Sequence, residues 1–257
     1  MDNIIYGRVD SRTIVITPAQ LKKVQDFAIH MDWDVAFDGK SKGNMHLFRV
    51  NQLSKYLHEM EDGKEDIIIA ASWLHDVGLV EGNLGHCFKG AKIARNFLGE
   101  IEVDYQTILK VVHCIEAHDG EIEAETVEAK VVHDADTLDK MGPLGLIRHT
   151  WKLANVDYKI FTVDELTQFL PRHLQERRDN LYLDSAIALG DRYADAVRDF
   201  LKNKDNAHIV IREVCLMAKD GVPAETAIER MRKKGLLTFE FQMALDEQLL
   251  LSFLRSG

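Results

Sequence analysis

Apolar residues recur along this chain at helical rather than strand intervals. Over residues 45–60, Leu47, Val50, Leu53 and Leu57 fall at steps of three, three and four, which lines one face of a helix. Residues 67–74 are apolar nearly all round. The lack of alternation and the pair Ala70-Ala71 favour a buried central helix over a strand. Upstream, Thr17-Pro18-Ala19-Gln20 has the form of a helix start, with Thr17 as N-cap, Pro18 at the first helical position and Gln20 closing a capping box. That helix is predicted to run to about residue 34, with a loop over 38–43. Further helices are predicted near 87–98, 105–117 and 126–140. A break comes at Gly142-Pro143, then a helix over 144–154. Thr162-Val163-Asp164-Glu165 is a second capping box, and helices are predicted beyond it over 185–201, 206–219, 223–234 and 239–254, with Gly221 and Gly235 as stops.

The fold class is therefore all-α. Three segments are expected: an N-terminal helix and loop over 1–43, a central unit over 44–150, and a C-terminal helical extension over 151–257 packed on it. The chain has 257 residues, 46% of them hydrophobic, enough for a sizeable core, and only four prolines, which argues against disorder. No internal repeat and no glycine-rich phosphate loop is present.

Charge narrows the partners. Lys and Arg number 32 against 42 Asp and Glu, a net charge of −10. Such a field disfavours polymeric nucleic acid. It does not exclude a small phosphorylated substrate, because a bound cation reverses the local potential. The longest apolar run is about eight residues, far below the ~20 of a membrane span. The start of the chain lacks a basic segment followed by an apolar one, and Cys87, Cys114 and Cys215 form no C-x-x-C pair. A cytoplasmic protein is expected, with the cysteines acting as small buried hydrophobes. Oligomeric state is not legible, although Leu249-Leu250-Leu251 suits either packing or association.

The eleven histidines carry the candidate chemistry. His46 lies near the start of one helix. His75 and Asp76 close the most apolar helix in the chain, where a charged group is costly unless something compensates it. A divalent cation does so, since imidazole nitrogen and carboxylate oxygen are among its natural ligands. His86 opens the next helix after a glycine-containing loop. His113 and His118 end another, and His133, Asp134, Asp136 and Asp139 lie on a later one. A lone histidine at a helix end is more often a cap or a solvated group. The ordered combination on successive apolar helices is what points to a metal.

These stretches, His46-Leu47-Phe48-Arg49-Val50, then Ala70 through His75-Asp76-Val77-Gly78, then Asp134-Ala135-Asp136-Thr137-Leu138-Asp139, resemble the His…His-Asp…Asp signature of the HD-domain superfamily. His86 through Ala91 and Ile115-Glu116-Ala117-His118 resemble two further stretches seen in many members. The resemblance spans about residues 44–150. It implies a helical bundle around a metal and a metal-dependent phosphohydrolase, acting on a nucleotide or other small phosphate ester. By position it implies His46, His75, Asp76 and Asp136 as metal ligands, with His86 and His118 as ligands of a second ion where there are two. Asp136 is preferred to Asp134 because it stands three residues before Asp139. The ion is expected to be Mn, Fe, Zn or Ni, with Mg admissible.

In the same reading Asp76, His86 and His118 serve catalysis, and Lys89, Lys140 and Arg148 hold substrate phosphate. Asp139 orients a ligand or a helix end, and His113 and His133 stand outside the ligand set. Several subgroup features are missing. No Gly-Tyr-Pro follows Asp119-Gly120, and Leu79-Val80 stands where alarmone hydrolases carry Glu-Asp. Leu79 also replaces the glutamate of the nucleoside 5′-monophosphatase branch. Two rival readings accompany this one: a mixed-valent di-iron oxygenase of the same architecture, using all six ligands, and a non-catalytic nucleotide sensor.

Overall fold

The structure is a computed structural model that describes residues 15–155 and 162–251. Twelve α-helices and no strand occur among the described residues: α1 Pro18–His30, α2 His46–His58, α3 Glu65–Leu74, α4 His86–Glu100, α5 Tyr105–Ala117, α6 Val127–Lys140, α7 Gly142–Asn155, α8 Val163–Asp179, α9 Asp184–Lys202, α10 Lys204–Lys219, α11 Ala224–Lys233 and α12 Phe239–Leu251. Both capping boxes form as their sequences require, at Thr17 with Gln20 and at Thr162 with Glu165.

The first helix departs from expectation. It ends at His30, and Met31–Val35 winds as one wider π turn before a 3-10 turn over Ala36–Gly39. Helix α7 starts at Gly142 itself, two residues before the expected start, and only extended Met141 separates it from α6. Gly142 has φ +66°, and a Cβ there would lie 2.7 Å from the Tyr193 Cβ, so both its backbone and its neighbours call for glycine. The expected end of the last helix, residue 254, lies outside the described residues. Leu249 packs on the core and Leu250 is exposed.

Helix α3 is the centre of the bundle. Ile67, Ile68, Ala70, Ala71 and Leu74 are fully buried, and α3 packs against α1, α2, α5 and α6. Each large apolar side chain among them contributes about 1.5–3 kcal/mol on burial. One backbone N–H at its start is met from elsewhere in the fold, since Glu128 of α6 accepts from the Lys64 N–H at 2.9 Å. Phe48 of α2 meets the Trp73 ring edge-on, with centroids 5.1 Å apart. Helices α7 to α12 wrap the far side: α8 and α9 touch α6, α12 touches α2, and α10 lies along α7. No described helix is long and apolar enough to cross a membrane.

Helix direction then places the polar residues. His46 opens α2, His75 and Asp76 come just after the end of α3, His86 opens α4, and His118 comes just after the end of α5. Successive helices reverse direction, so these four ends meet at one end of the bundle. Asp136 reaches the same place from α6.

Candidate metal centre

Four imidazole Nε2 atoms and two carboxylates converge at that end. His46 Nε2 lies 3.3 Å from His75 Nε2, 3.2 Å from Asp136 Oδ1 and 3.3 Å from Asp76 Oδ2. His75 Nε2 is 3.5 Å from both of those oxygens. On the other side of Asp76, its Oδ1 is 3.4 Å from His86 Nε2 and 3.5 Å from His118 Nε2, which are 3.2 Å from each other. Asp76 thus faces two donor sets with its two oxygens.

The other nitrogen of each ring decides what these atoms can be. His75 Nδ1 donates to the Ser72 carbonyl at 2.8 Å, His118 Nδ1 to the Ile115 carbonyl at 2.7 Å, and His86 Nδ1 to the Asn83 carbonyl at 3.1 Å. His46 Nδ1 donates to Asp139 Oδ2 at 2.7 Å. With every Nδ1 carrying the proton, each neutral ring presents a bare lone pair at Nε2. Four lone pairs and three carboxylate oxygens therefore point at one another, and Asp136 Oδ1 is buried without a hydrogen bond. Such a cluster of acceptors needs positive charge. Ligands at ~2.0–2.1 Å in a tetrahedron stand about 3.3–3.4 Å apart, close to the spacings observed. The residues fit one cation among His46, His75, Asp76 and Asp136, and a second among Asp76, His86 and His118.

Protons are the alternative neutraliser. Burial and the Arg148 charge oppose protonation of His46, but Asp136, Asp139 and Asp76 outweigh them and raise it to about 9. Burial also opposes ionisation of Asp76 and Asp136. Even so, the charges of His75 and Lys140 near Asp76, and of Lys140 with the facing imidazoles of His46 and His75 near Asp136, hold both well below the ordinary carboxylate range. Cys87 lies near His86 and Asp119, but burial pushes its thiol up to about 11, which makes it a poor ligand beside the His–Asp cluster.

A buried charge network stands behind His46. Asp139 accepts from His46, from Arg49 Nε at 2.5 Å and from Arg148 Nη1, and Arg49 Nη1 also reaches Glu225 of α11 at 3.2 Å. Arg49 has no exposed surface. A carboxylate on Nδ1 fixes the ring and raises the basicity of Nε2.

Asp134 turns away from the centre. It accepts from the backbone N–H groups of Tyr182 and Leu183 and from His133. His113 accepts from the Glu125 N–H, on the outside of α5. Lys140 pairs with Asp136 Oδ2 at 2.6 Å, and it and Arg148 line a cavity of about 610 Å³ that opens onto His46, Asp76 and His86. Lys89 is a correction. It is half-buried, donates to the Glu81 carbonyl at 2.8 Å, and is not among the residues lining this cavity, because its amine folds back onto the turn before α4. The sequence reading missed Asp32, Asp119, His149, Lys152, Arg177 and Glu225, all of which line the cavity. It also missed Arg49, whose one signal was an arginine on the apolar face three residues after His46.

Comparison with known proteins agrees with this geometry. Residues 45–141 match the family model of the HD domain. The chain carries an HD domain. An HD-superfamily hydrolase from Bacillus thuringiensis is 25% identical, with a TM-score of 0.55 over 74% of this chain and 98% of its own. YpgQ of Bacillus subtilis, solved in complex with ADP, is 18% identical with a TM-score of 0.56, covering 73% of this chain and 94% of its own. A Lactobacillus plantarum protein is 22% identical with a TM-score of 0.59, covering 74% and 97%. No curated protein matches the chain. These solved structures share the fold over most of their own length and about three quarters of this chain.

Proposed function

We propose that this chain is a metal-dependent phosphohydrolase acting on nucleotides, with one cation held by His46, His75, Asp76 and Asp136 and a second by Asp76, His86 and His118. The observation that carries this reading is the convergence of four bare Nε2 atoms and three carboxylate oxygens beside a cavity lined by lysine and arginine, onto which His46, Asp76 and His86 open. The hydrolase and the ADP complex among the similar structures support the reaction class and the ligand class.

Bound cations would supply Lewis acidity toward a phosphoryl oxygen and a water of lowered pKa. The chain's own residues do the rest. Asp76 ties the two halves of the centre together. Arg148 uses only Nη1 on Asp139, so Nε and Nη2 remain for a phosphoryl oxygen. Lys140 places a second positive charge beside Asp136, where negative charge develops. His86 and His118 serve as ligands in this arrangement. Were only the His46 side filled, they would be free to protonate the leaving oxygen.

The test is phosphate release from a panel of nucleotides and phosphomonoesters with Mn²⁺ added, together with the metal content of the protein. Asp76→Ala should retain the fold and lose turnover by orders of magnitude; a variant that still hydrolyses rejects the assignment. The same six residues, with Asp76 facing both donor sets, would also suit a di-iron oxygenase. Two bound irons with oxygen uptake and no phosphate release would transfer the chain to that class.

A further inference from the structure

The cavity wall formed by α7 and α8 carries positive charge that the metal centre does not use. Lys140 and Arg148 are engaged with Asp136 and Asp139. Lys152 and Arg177 also line the cavity, and neither has a carboxylate partner among the described residues. The polar contact of Arg177 is with an imidazole, its Nε donating to His173 Nε2 at 3.2 Å. The His149 ring lines the same wall. It stacks on His173 with centroids 4.4 Å apart at 25°, and Phe169 backs His173 at 5.1 Å. Two cations and a pair of stacked imidazoles thus share one patch without a counter-ion among the described residues, in a protein whose net charge is −10.

The mutual repulsion is visible in the imidazoles. Burial, with His173, Arg177 and Lys152 nearby, pushes His149 down to about 2, and burial with Arg177 and Lys152 pushes His173 to about 4. Burial and the charges of Lys140 and Arg177 lower Lys152 as well, while the Asp76 carboxylate raises it. The patch is therefore close enough to Asp76 to feel its charge. Like charges are rarely held together on a concave wall unless an anion sits between them, since each destabilises the others.

We propose that Lys152 and Arg177, with His149 beside them, form an anion subsite for a second phosphate of the substrate, so that the class bound is a nucleoside di- or triphosphate rather than a monophosphate. This rests on the phosphohydrolase reading above and extends it. The phosphoryl group attacked would lie between Lys140 and Arg148, beside the residues that would hold cations, and the adjoining phosphate would lie against α7 and α8. Phosphate oxygens match the donors available, three N–H on Lys152 and the free guanidinium edge of Arg177. The cavity of about 610 Å³ has room for more than a single phosphate group.

The experiment compares binding and turnover in Lys152→Gln, with Arg177→Gln as a second variant. Lys152 makes no ion pair among the described residues, so its replacement should leave Tm unchanged. Binding of ADP and AMP is measured by calorimetry in the presence of chelator, which needs no hydrolysis. Wild type should prefer ADP to AMP by about tenfold or more, the worth of one charge-assisted contact. In each variant that preference should shrink toward unity while AMP affinity stays within about twofold. A preference unchanged in both variants, or no preference in wild type, overturns the subsite. Preference for ADP with no turnover of any substrate would leave the subsite standing and remove the hydrolase reading instead.

Discussion

Replacing Asp139 with alanine strikes the group on which the metal end of the bundle depends. Asp139 is buried and compensates two guanidinium groups, Arg49 and Arg148, while fixing His46. Removing one partner of a buried ion pair costs about 3–5 kcal/mol, because the remaining charge is stranded. Here the two arginines are not equally stranded. Arg148 keeps 16% of its side chain exposed and can turn to the cavity water, whereas Arg49 has 1% and keeps only Glu225. The lower part of the range, about 3–4 kcal/mol, is therefore expected at pH 7. In a chain of this size that lowers Tm by about 6–16 °C, read by calorimetry.

The loss should also depend on pH in a particular direction. Burial opposes ionisation of Asp139, but Arg148, Arg49 and His46 hold it well below the ordinary carboxylate range. Its native pKa lies under the unfolded value, so in acid the unfolded chain takes up the proton first. Its contribution is complete above about pH 5 and fades as the pH falls through ~4 and lower. The gap between wild type and Asp139→Ala should thus be narrower at pH 3 than at pH 7. Cation affinity should drop about 10- to 100-fold as well, since His46 loses its orienting carboxylate. A Tm within a degree or two of wild type at pH 7, or a gap that widens in acid, would refute the reasoning.

The same geometry predicts three other outcomes. A Cβ at Gly78 would sit 2.0 Å from the His86 carbonyl oxygen and 2.5 Å from the Gly90 nitrogen, both backbone atoms; Gly78→Ala should cost at least about 1–3 kcal/mol and, by shifting His86, lower bound metal from two ions toward one by elemental analysis. Cations bind the native state alone, so a free concentration of 100 times Kd should add about 2.7 kcal/mol of stability, and a chelator should reverse the rise in Tm. Because His46 holds a proton up to about pH 9 until a cation displaces it, metal binding at pH 7.5 should release about one proton into weakly buffered indicator, and affinity should climb with pH through neutrality; binding without proton release would show that His46 is already neutral before the cation arrives.

How much the sequence made legible depends on how local each signal is. Capping boxes at Thr17 and Thr162 are written within four residues, and both form. The apolar period places α2 and α3, and polar residues at the ends of those apolar helices mark His46, His75 and Asp76, which the fold brings within 3.5 Å of one another. Failures begin where the answer lies in another element. The end of α1 is not set by a stop residue, so the π turn that carries Asp32 into the cavity leaves no trace in the pattern. Lys89 resembles a phosphate ligand in the motif around His86, yet a nearby carbonyl of the preceding turn takes its amine. Lys152 and Arg177 are ordinary helix-surface cations in one dimension and become a patch only when α7 and α8 pack side by side.

Glu225 shows the same limit at the greatest distance. On α11 it reads as a solvated glutamate in a polar helix. In the structure it accepts from the Arg49 guanidinium, 176 positions earlier in the chain, and lies within reach of the Met45 N–H at the start of α2. It therefore shares with Asp139 the charge that keeps Arg49 in place behind His46. The cavity is divided accordingly. The groups that would hold cations come from residues 46–136, while much of the wall that meets the remainder of a substrate, Lys152, Arg177, Pro223 and Glu225, comes from α7 onward. A metal-binding motif of this kind narrows the chemistry a site can perform, and the helices beyond it bear on the molecule on which that chemistry is performed. Two chains can thus share every ligand at Asp76 and its neighbours and still differ in substrate, because discrimination rests on side chains that no motif contains.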